Sequence, residues 1–178
     1  AWAAYGKIDS TFWMSIQALG IAVTTFIGQN YGAGKKKRIK KGVIRSIMLA
    51  VMITLIIMFL ILLLRKYVFL LFTNDENVIR IGISIIMIIA PLYLTYFPIE
   101  IFSSILRGLG DTLMSMLLTG IGICVFRVIW VFTAVRLNNS LHTLVLAYPL
   151  SWIITSTLFI IYVFGFSRLK NFIFRKDD

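Results

Sequence analysis

A chain of 178 residues that is 60% hydrophobic and only 14% charged has too little polar surface to cover itself in water, since soluble domains are about 45–50% apolar and about 25% charged. Its net charge of +11 would suggest a nucleic-acid partner if it were spread over a soluble face, but seven of the eighteen basic residues crowd into Lys35–Arg45 and four more follow Ser167. A single cysteine, Cys124, and a single histidine, His142, exclude an intramolecular disulfide and a multi-cysteine metal site and leave little material for imidazole chemistry; no metal or other cofactor is expected.

The first apolar run, Ser10–Gly34, carries no charge and exceeds the about 20 residues that a helix needs to cross a hydrocarbon core about 30 Å thick. Gly32 and Gly34 end it, where glycine can take the left-handed conformation that caps a helix. The basic segment 34–45 then reads as a connector. A phosphate-cradling loop is excluded there by spacing: Gly28 and Gly34 are separated by one residue too many, and Lys36 stands where Ser or Thr should bind magnesium. The second run, Ser46–Leu64, leads into "RKYVFLLFT", a mix of cations and aromatics suited to a membrane interface. "FTNDENV" offers Thr73 or Asn74 as an N-cap, with Asp75 and Glu76 in the first turn of a third helix. That helix contains Pro91 and Pro98, each of which deletes a backbone hydrogen bond and can bend it. "RGLGDT", with Gly108 and Gly110, separates it from a fourth apolar run. "RLNNSLHT" follows, with Asn139 or Ser140 as a cap, and a fifth run closes the bundle.

Strands of such length would leave edges unpaired in lipid, and no run shows the polar stripe of a soluble amphipathic helix. The reading is therefore all-α: a polytopic membrane helix bundle with five transmembrane helices at about 9–31, 43–64, 78–106, 112–135 and 141–166 within one unit, 1–167, followed by a basic tail, 168–178. The 34–45 segment, Arg107 and the tail place twelve cations on one side; Arg65, Lys66, Arg80 and Arg136 place four on the other. By the positive-inside rule the 34–45 loop and the C-terminus are cytoplasmic, anchored against anionic lipid headgroups in the plasma membrane.

Charges within the spans are costly and are functional candidates by default. Glu100 precedes Arg107 by seven residues, which places it about 10 Å from the inner interface at about 1.5 Å per residue. A carboxyl at that depth could exchange a proton or ligate a cation, and the bland alternative is a pairing with a lysine from a neighbouring helix. Asp9 lies about 33 Å from the inner end by the same rise, near an outer mouth with Lys7, although residues two apart do not face each other on a helix. Arg127, in the outer part of the fourth helix, can snorkel. Trp13, Tyr93, Tyr96, Trp130 and Trp152 fit packing or an interfacial belt, and one or two could line a cavity that attracts organic cations.

Two blocks carry a more specific signal. "ALGIAVTTFIGQNYGAGKKKRIKKG" resembles the segment that ends the second helix of each six-helix lobe in the multidrug and toxic compound extrusion (MATE) family, and "SSILRGLGDTLMSMLLTGIGICVFRVIWVF" resembles that family's stretch two connectors later, an Arg-Gly-x-Gly-Asp turn, an apolar helix and then arginine, at a fitting separation. The arginine in the fourth helix resembles the C-terminal lobe. The resemblance implies helices eight to twelve of a twelve-helix, two-lobed transporter, and the opening on Ala1 rather than Met fits a fragment whose N-terminal lobe is missing. It further implies an antiporter that exports small amphipathic, often cationic, organic compounds in exchange for sodium or protons by alternating access, with Gly32, Gly34, Gly108 and Gly110 at a mobile inner rim. Some members place an acid on the third of these helices nearer its middle, at about Tyr96; Glu100 lies one turn further in.

Two alternatives stand beside this. A lipid-linked oligosaccharide flippase of the same superfamily should face several cations into its cleft, where only Lys7 and Arg127 qualify. A truncated, non-transporting membrane protein is the other. An enzyme is not expected, since no nucleophile and base stand together.

Overall fold

The computed structural model describes residues 2–137 and 141–167; the expected caps Asn139 and Ser140 and the 168–178 tail lie outside them. The described residues form an all-α bundle in which five helical segments are long and apolar enough to cross a membrane. α1 (Trp2–Gly32) and α2 (Lys36–Leu70) are continuous. The third span is divided into α3 (Glu76–Ile89), a tighter 3₁₀ stretch (Ala90–Thr95) and α4 (Phe97–Gly108). The fourth runs through α5 (Thr112–Thr119), a π-helical stretch (Gly120–Val125), α6 (Phe126–Trp130) and a second π stretch (Val131–Val135). α7 (Leu141–Gly165) is the fifth.

Four sequence expectations are corrected. The basic segment 34–45 is not a loop: the turn between the first two spans is confined to Ala33–Lys35, and α2 begins at Lys36. Gly34 takes φ +68° and ends α1. Its N–H bonds to the Tyr31 carbonyl and that of Lys35 to Asn30, closing the helix so tightly that the lysines and arginines beyond it, good helix formers, start the next helix at once. "RKYVFLLFT" is likewise helical as far as Leu70. At 35 residues and about 1.5 Å per residue, α2 is about 52 Å long, more than the about 40–45 Å of a whole bilayer. Both charged ends therefore extend past the hydrocarbon while the 43–64 region crosses it. The cap of α3 is Asp75, not Thr73 or Asn74: Asp75 Oδ1 accepts from the N–H groups of Asn77 and Val78, and Thr73 Oγ1 accepts instead from the Asp75 N–H.

The fourth correction concerns 78–106, expected as one bent helix. Pro91 and Pro98 cannot donate to the preceding turn, and the backbone between them tightens: the N–H of Tyr96 bonds to Tyr93 and that of Ile99 to Tyr96. The second half of this span is the centre of the bundle. Every residue from Ile101 to Leu106 is buried, as befits a helix packed on all sides. α2 shows the opposite arrangement, with Ile39, Val43, Ser46, Ala50 and Thr54 inward and Met48, Met52, Leu55, Phe59 and Leu63 outward.

α1 and α4 run parallel and close together along small residues. Thr24 Oγ1 donates to the Ser104 carbonyl at 3.1 Å. A Cβ on Gly108 would stand 2.8 Å from both the Thr24 carbonyl oxygen and Ile27 Cβ, and one on Gly28 would stand 3.5 Å from the Gly108 carbonyl oxygen. Gly20, Thr24 and Gly28 on α1 thus face Ser104 and Gly108 on α4, two stripes at a spacing of four residues that let backbones approach in lipid. Gly108, expected at a mobile inner rim, is in this structure a position of close helix packing. Gly110, at φ +84°, makes the turn, with the Asp111 N–H bonded to the Leu106 carbonyl at 2.8 Å. Gly108→Ala should destabilise the bundle by about 1–3 kcal/mol through overpacking. Gly120→Ala, where nothing lies within 4 Å of the added carbon, should stay within about 0.5 kcal/mol. Unfolding of the two purified variants in the same detergent checks the contrast.

Candidate functional site

The membrane-embedded acids both lie along the seam between α1 and the third span, at different depths. Asp9 is half-buried and held from two elements: Trp13 Nε1, one turn on in α1, donates to its Oδ2 at 2.5 Å, and the Tyr93 hydroxyl donates to its Oδ1 at 2.5 Å. The 3₁₀ stretch presents Tyr93 here, so the proline-bounded break positions the donor. Lys7 does not join this group; it is exposed and its Nζ lies 5.3 Å from the Phe72 ring centroid.

Glu100 sits in the first turn of α4, two residues after Pro98. Its carboxylate gathers three donors from its own span: Arg107 Nη2 at 3.2 Å, the Tyr96 hydroxyl at 3.3 Å and Ser104 Oγ at 3.4 Å. Tyr96, Glu100 and Ser104 follow one another at four-residue intervals on a single helix face. Across the seam Gly20 leaves the room that the carboxylate occupies, because a Cβ there would collide with Glu100 Oε1. The lysine from a neighbouring helix that a pairing was expected to require is replaced by Arg107 of the same helix, which also donates to Ser104 Oγ at 2.8 Å. The guanidinium stem is long enough to reach back two turns. The pair is lopsided in exposure, 38% for the Arg107 side chain against 14% for Glu100.

Between the two acids stands an aromatic wall. Phe12 stacks on Tyr93 with centroids 4.1 Å apart, Trp13 meets Tyr96 edge to face at 4.3 Å, and Trp152 of α7 meets Tyr96 at 5.7 Å. Such offset and edge-to-face pairs are favourable ring geometries. Phe12, Tyr93, Tyr96 and Trp152 are buried, whereas Trp13 is half-buried. Trp152 Nε1 has no hydrogen-bond partner among the described residues. The wall continues through Tyr148, 6.4 Å from Trp152, to Arg127, whose guanidinium lies 4.3 Å from the Tyr148 ring centroid and whose Nε donates to Ser151 Oγ at 3.0 Å. Arg127 is therefore seated on α7 by a cation–π contact. Trp130 stands apart, donating to the Thr143 carbonyl at 2.9 Å.

The family model MatE matches residues 1–133. The chain belongs to the MatE family. No curated protein matches it. MatE proteins are transporters, and this one is a multi-pass, integral membrane protein by its five long apolar helices.

Of the residues singled out in the sequence, the structure joins Asp9, Tyr96, Glu100 and Arg127 through one run of aromatic rings. Lys7, Gly32, Gly34, Gly110 and Pro91 lie outside that run. Pro91 and Pro98 bound the stretch that presents Tyr93 and Tyr96. Gly20, Thr24, Ser104 and Arg107 were missed, although small residues at four-residue spacing in an apolar helix are a readable packing signal. Asp111 accepts from the Tyr162 hydroxyl of α7 at 2.6 Å. No cluster of three or more metal-ligating side chains occurs among the described residues.

Tyr93→Phe removes one of two donors to a half-buried carboxyl and should lower stability by about 1–3 kcal/mol. In contrast, a double-mutant cycle on Glu100→Gln and Arg107→Gln should give a coupling below about 1 kcal/mol, because Arg107 is solvent-screened. Denaturant unfolding of the single and double variants measures both.

Proposed function

We propose that this MatE protein takes part in the export of small amphipathic, often cationic, organic compounds in exchange for sodium ions or protons, with Glu100 as the coupling acid. The observation that supports this reading most is the setting of Glu100. A mostly buried carboxylate is surrounded by exchangeable donors on one helix face, one helical turn from Tyr96 and the aromatic wall. A bound proton or cation competes with Arg107 and the hydroxyls for the carboxylate oxygens. Loading and unloading Glu100 would thereby change how tightly α4 holds the Tyr96 face on which an organic cation can rest. Asp9, tied to Tyr93 at the far end of the same wall, supplies a second negative site toward the opposite mouth. A second lobe contributes the other side of the cleft, and the two lobes alternate access.

The basic start of α2 faces the cytoplasm of the plasma membrane in this reading, which the excess of cations at that end supports. Ala33→Cys should then be labelled by a membrane-impermeant maleimide in inside-out vesicles and not in intact cells; labelling from outside overturns the orientation. For coupling, Glu100→Gln in the full-length protein should reduce efflux of an organic cation by at least about tenfold while membrane abundance is kept. Efflux is followed with the sodium and proton gradients imposed separately. Unchanged efflux at normal abundance removes Glu100 from the mechanism.

A further inference from the structure

A cavity of about 250 Å³ opens where α1 and α2 meet, away from the acids and the aromatic wall. Its rim carries Arg38, Lys41 and Arg45, and its floor is formed by Phe26, Gly42 and Leu49. The three cations follow at intervals of three and four residues, which places them on one face of α2. All three are exposed. None is paired with a carboxylate among the described residues, and the first turn of α2 contains no acid.

The floor is shaped by a specific device. Gly42 is buried, and a Cβ there would run into the Phe26 ring, so the absent side chain lets that ring come up close against α2 and form the base of the groove. Ser46 turns its hydroxyl back to the Gly42 carbonyl at 2.8 Å and so leaves the groove to its apolar neighbours. Below Arg45 the chain is uncharged from Ser46 to Leu64. The groove therefore straddles the boundary between a cationic collar and a hydrocarbon-depth surface, cationic above and apolar below.

We propose that this groove is a binding site for one anionic phospholipid, with the phosphate held among Arg38, Lys41 and Arg45 and the upper acyl chain lying over Phe26 and Leu49. Charge complementarity selects an anion, and guanidinium groups suit phosphate oxygens. The apolar floor selects an amphiphile over a free phosphate, which would have no use for it. The site is independent of Glu100 and of the exchange reaction.

The test is native mass spectrometry of the purified full-length protein titrated with phosphatidylglycerol or phosphatidylcholine. Wild type should retain phosphatidylglycerol about tenfold better, and Arg38→Gln/Arg45→Gln should abolish that preference. Lys36→Gln/Lys40→Gln removes equal charge from the opposite face of the same helix and should change retention by less than about twofold. Leu49→Gln, at a 43% exposed position, should weaken retention by about threefold through the tail contact. Several outcomes overturn the proposal: equal retention of the two lipids by wild type, equal losses in the two charge pairs, or an unchanged Leu49→Gln. Displacement of the lipid by inorganic phosphate at comparable concentration also overturns it, by reducing the site to a simple anion site.

Discussion

The close parallel contact between α1 and α4 is the constraint on which the rest of the bundle depends. In lipid there is no hydrophobic gain in bringing two apolar helices together, so association rests on packing and on a few polar bonds. Gly20, Thr24 and Gly28 opposite Ser104 and Gly108 supply both, with the Thr24 hydroxyl bridging to the Ser104 carbonyl. The same seam houses both embedded acids. Glu100 occupies the space that Gly20 vacates, and Asp9 is held by Tyr93 across the junction. A wider seam would have no place for a shared carboxylate environment. The residue that permits the packing is therefore also the one that permits the site.

The proline-bounded break in the third span converts this packed seam into one with chemistry. An unbroken α-helix would advance by about 100° per residue, and the tighter stretch at Ala90–Thr95 alters that phase. As a result Tyr93 points to Asp9 while Tyr96 points along the face of Glu100. Tyr93 lies within that stretch and Tyr96 directly follows it.

Much of this was readable from the residues. Five apolar runs gave five spans, Gly34 takes the left-handed turn expected of it whereas Gly32 stays helical, and Asp9, Glu100 and Arg127 were recognisable as charges at a depth where charge is expensive. The partners were not readable, because they depend on rotation about helix axes that hydrophobicity alone leaves undetermined when every face is apolar. Arg107 was assigned to the inner rim by sequence position, yet its stem carries the guanidinium back two turns. The basic segment was taken for a loop because charge and glycine coincide there, whereas a glycine cap terminates one helix and says nothing against another beginning directly after it. Asp75 outcompeted Thr73 and Asn74 as a cap because only its carboxylate reaches two free N–H groups at once.

The bond from Tyr162 to Asp111 gives the fifth span a mechanical role. The hydroxyl sits at the end of a side chain that reaches about 5 Å or more from the α7 axis, and it meets the carboxylate of the Gly110 turn at 2.6 Å. At that radius a twist of roughly 30° sweeps the hydroxyl through nearly 3 Å, enough to break the bond. A rotation of α7 by that much would therefore cost its bond to the turn that joins the third and fourth spans. One bond thus fastens the fifth span to the junction of the other two, a rivet at their shared end.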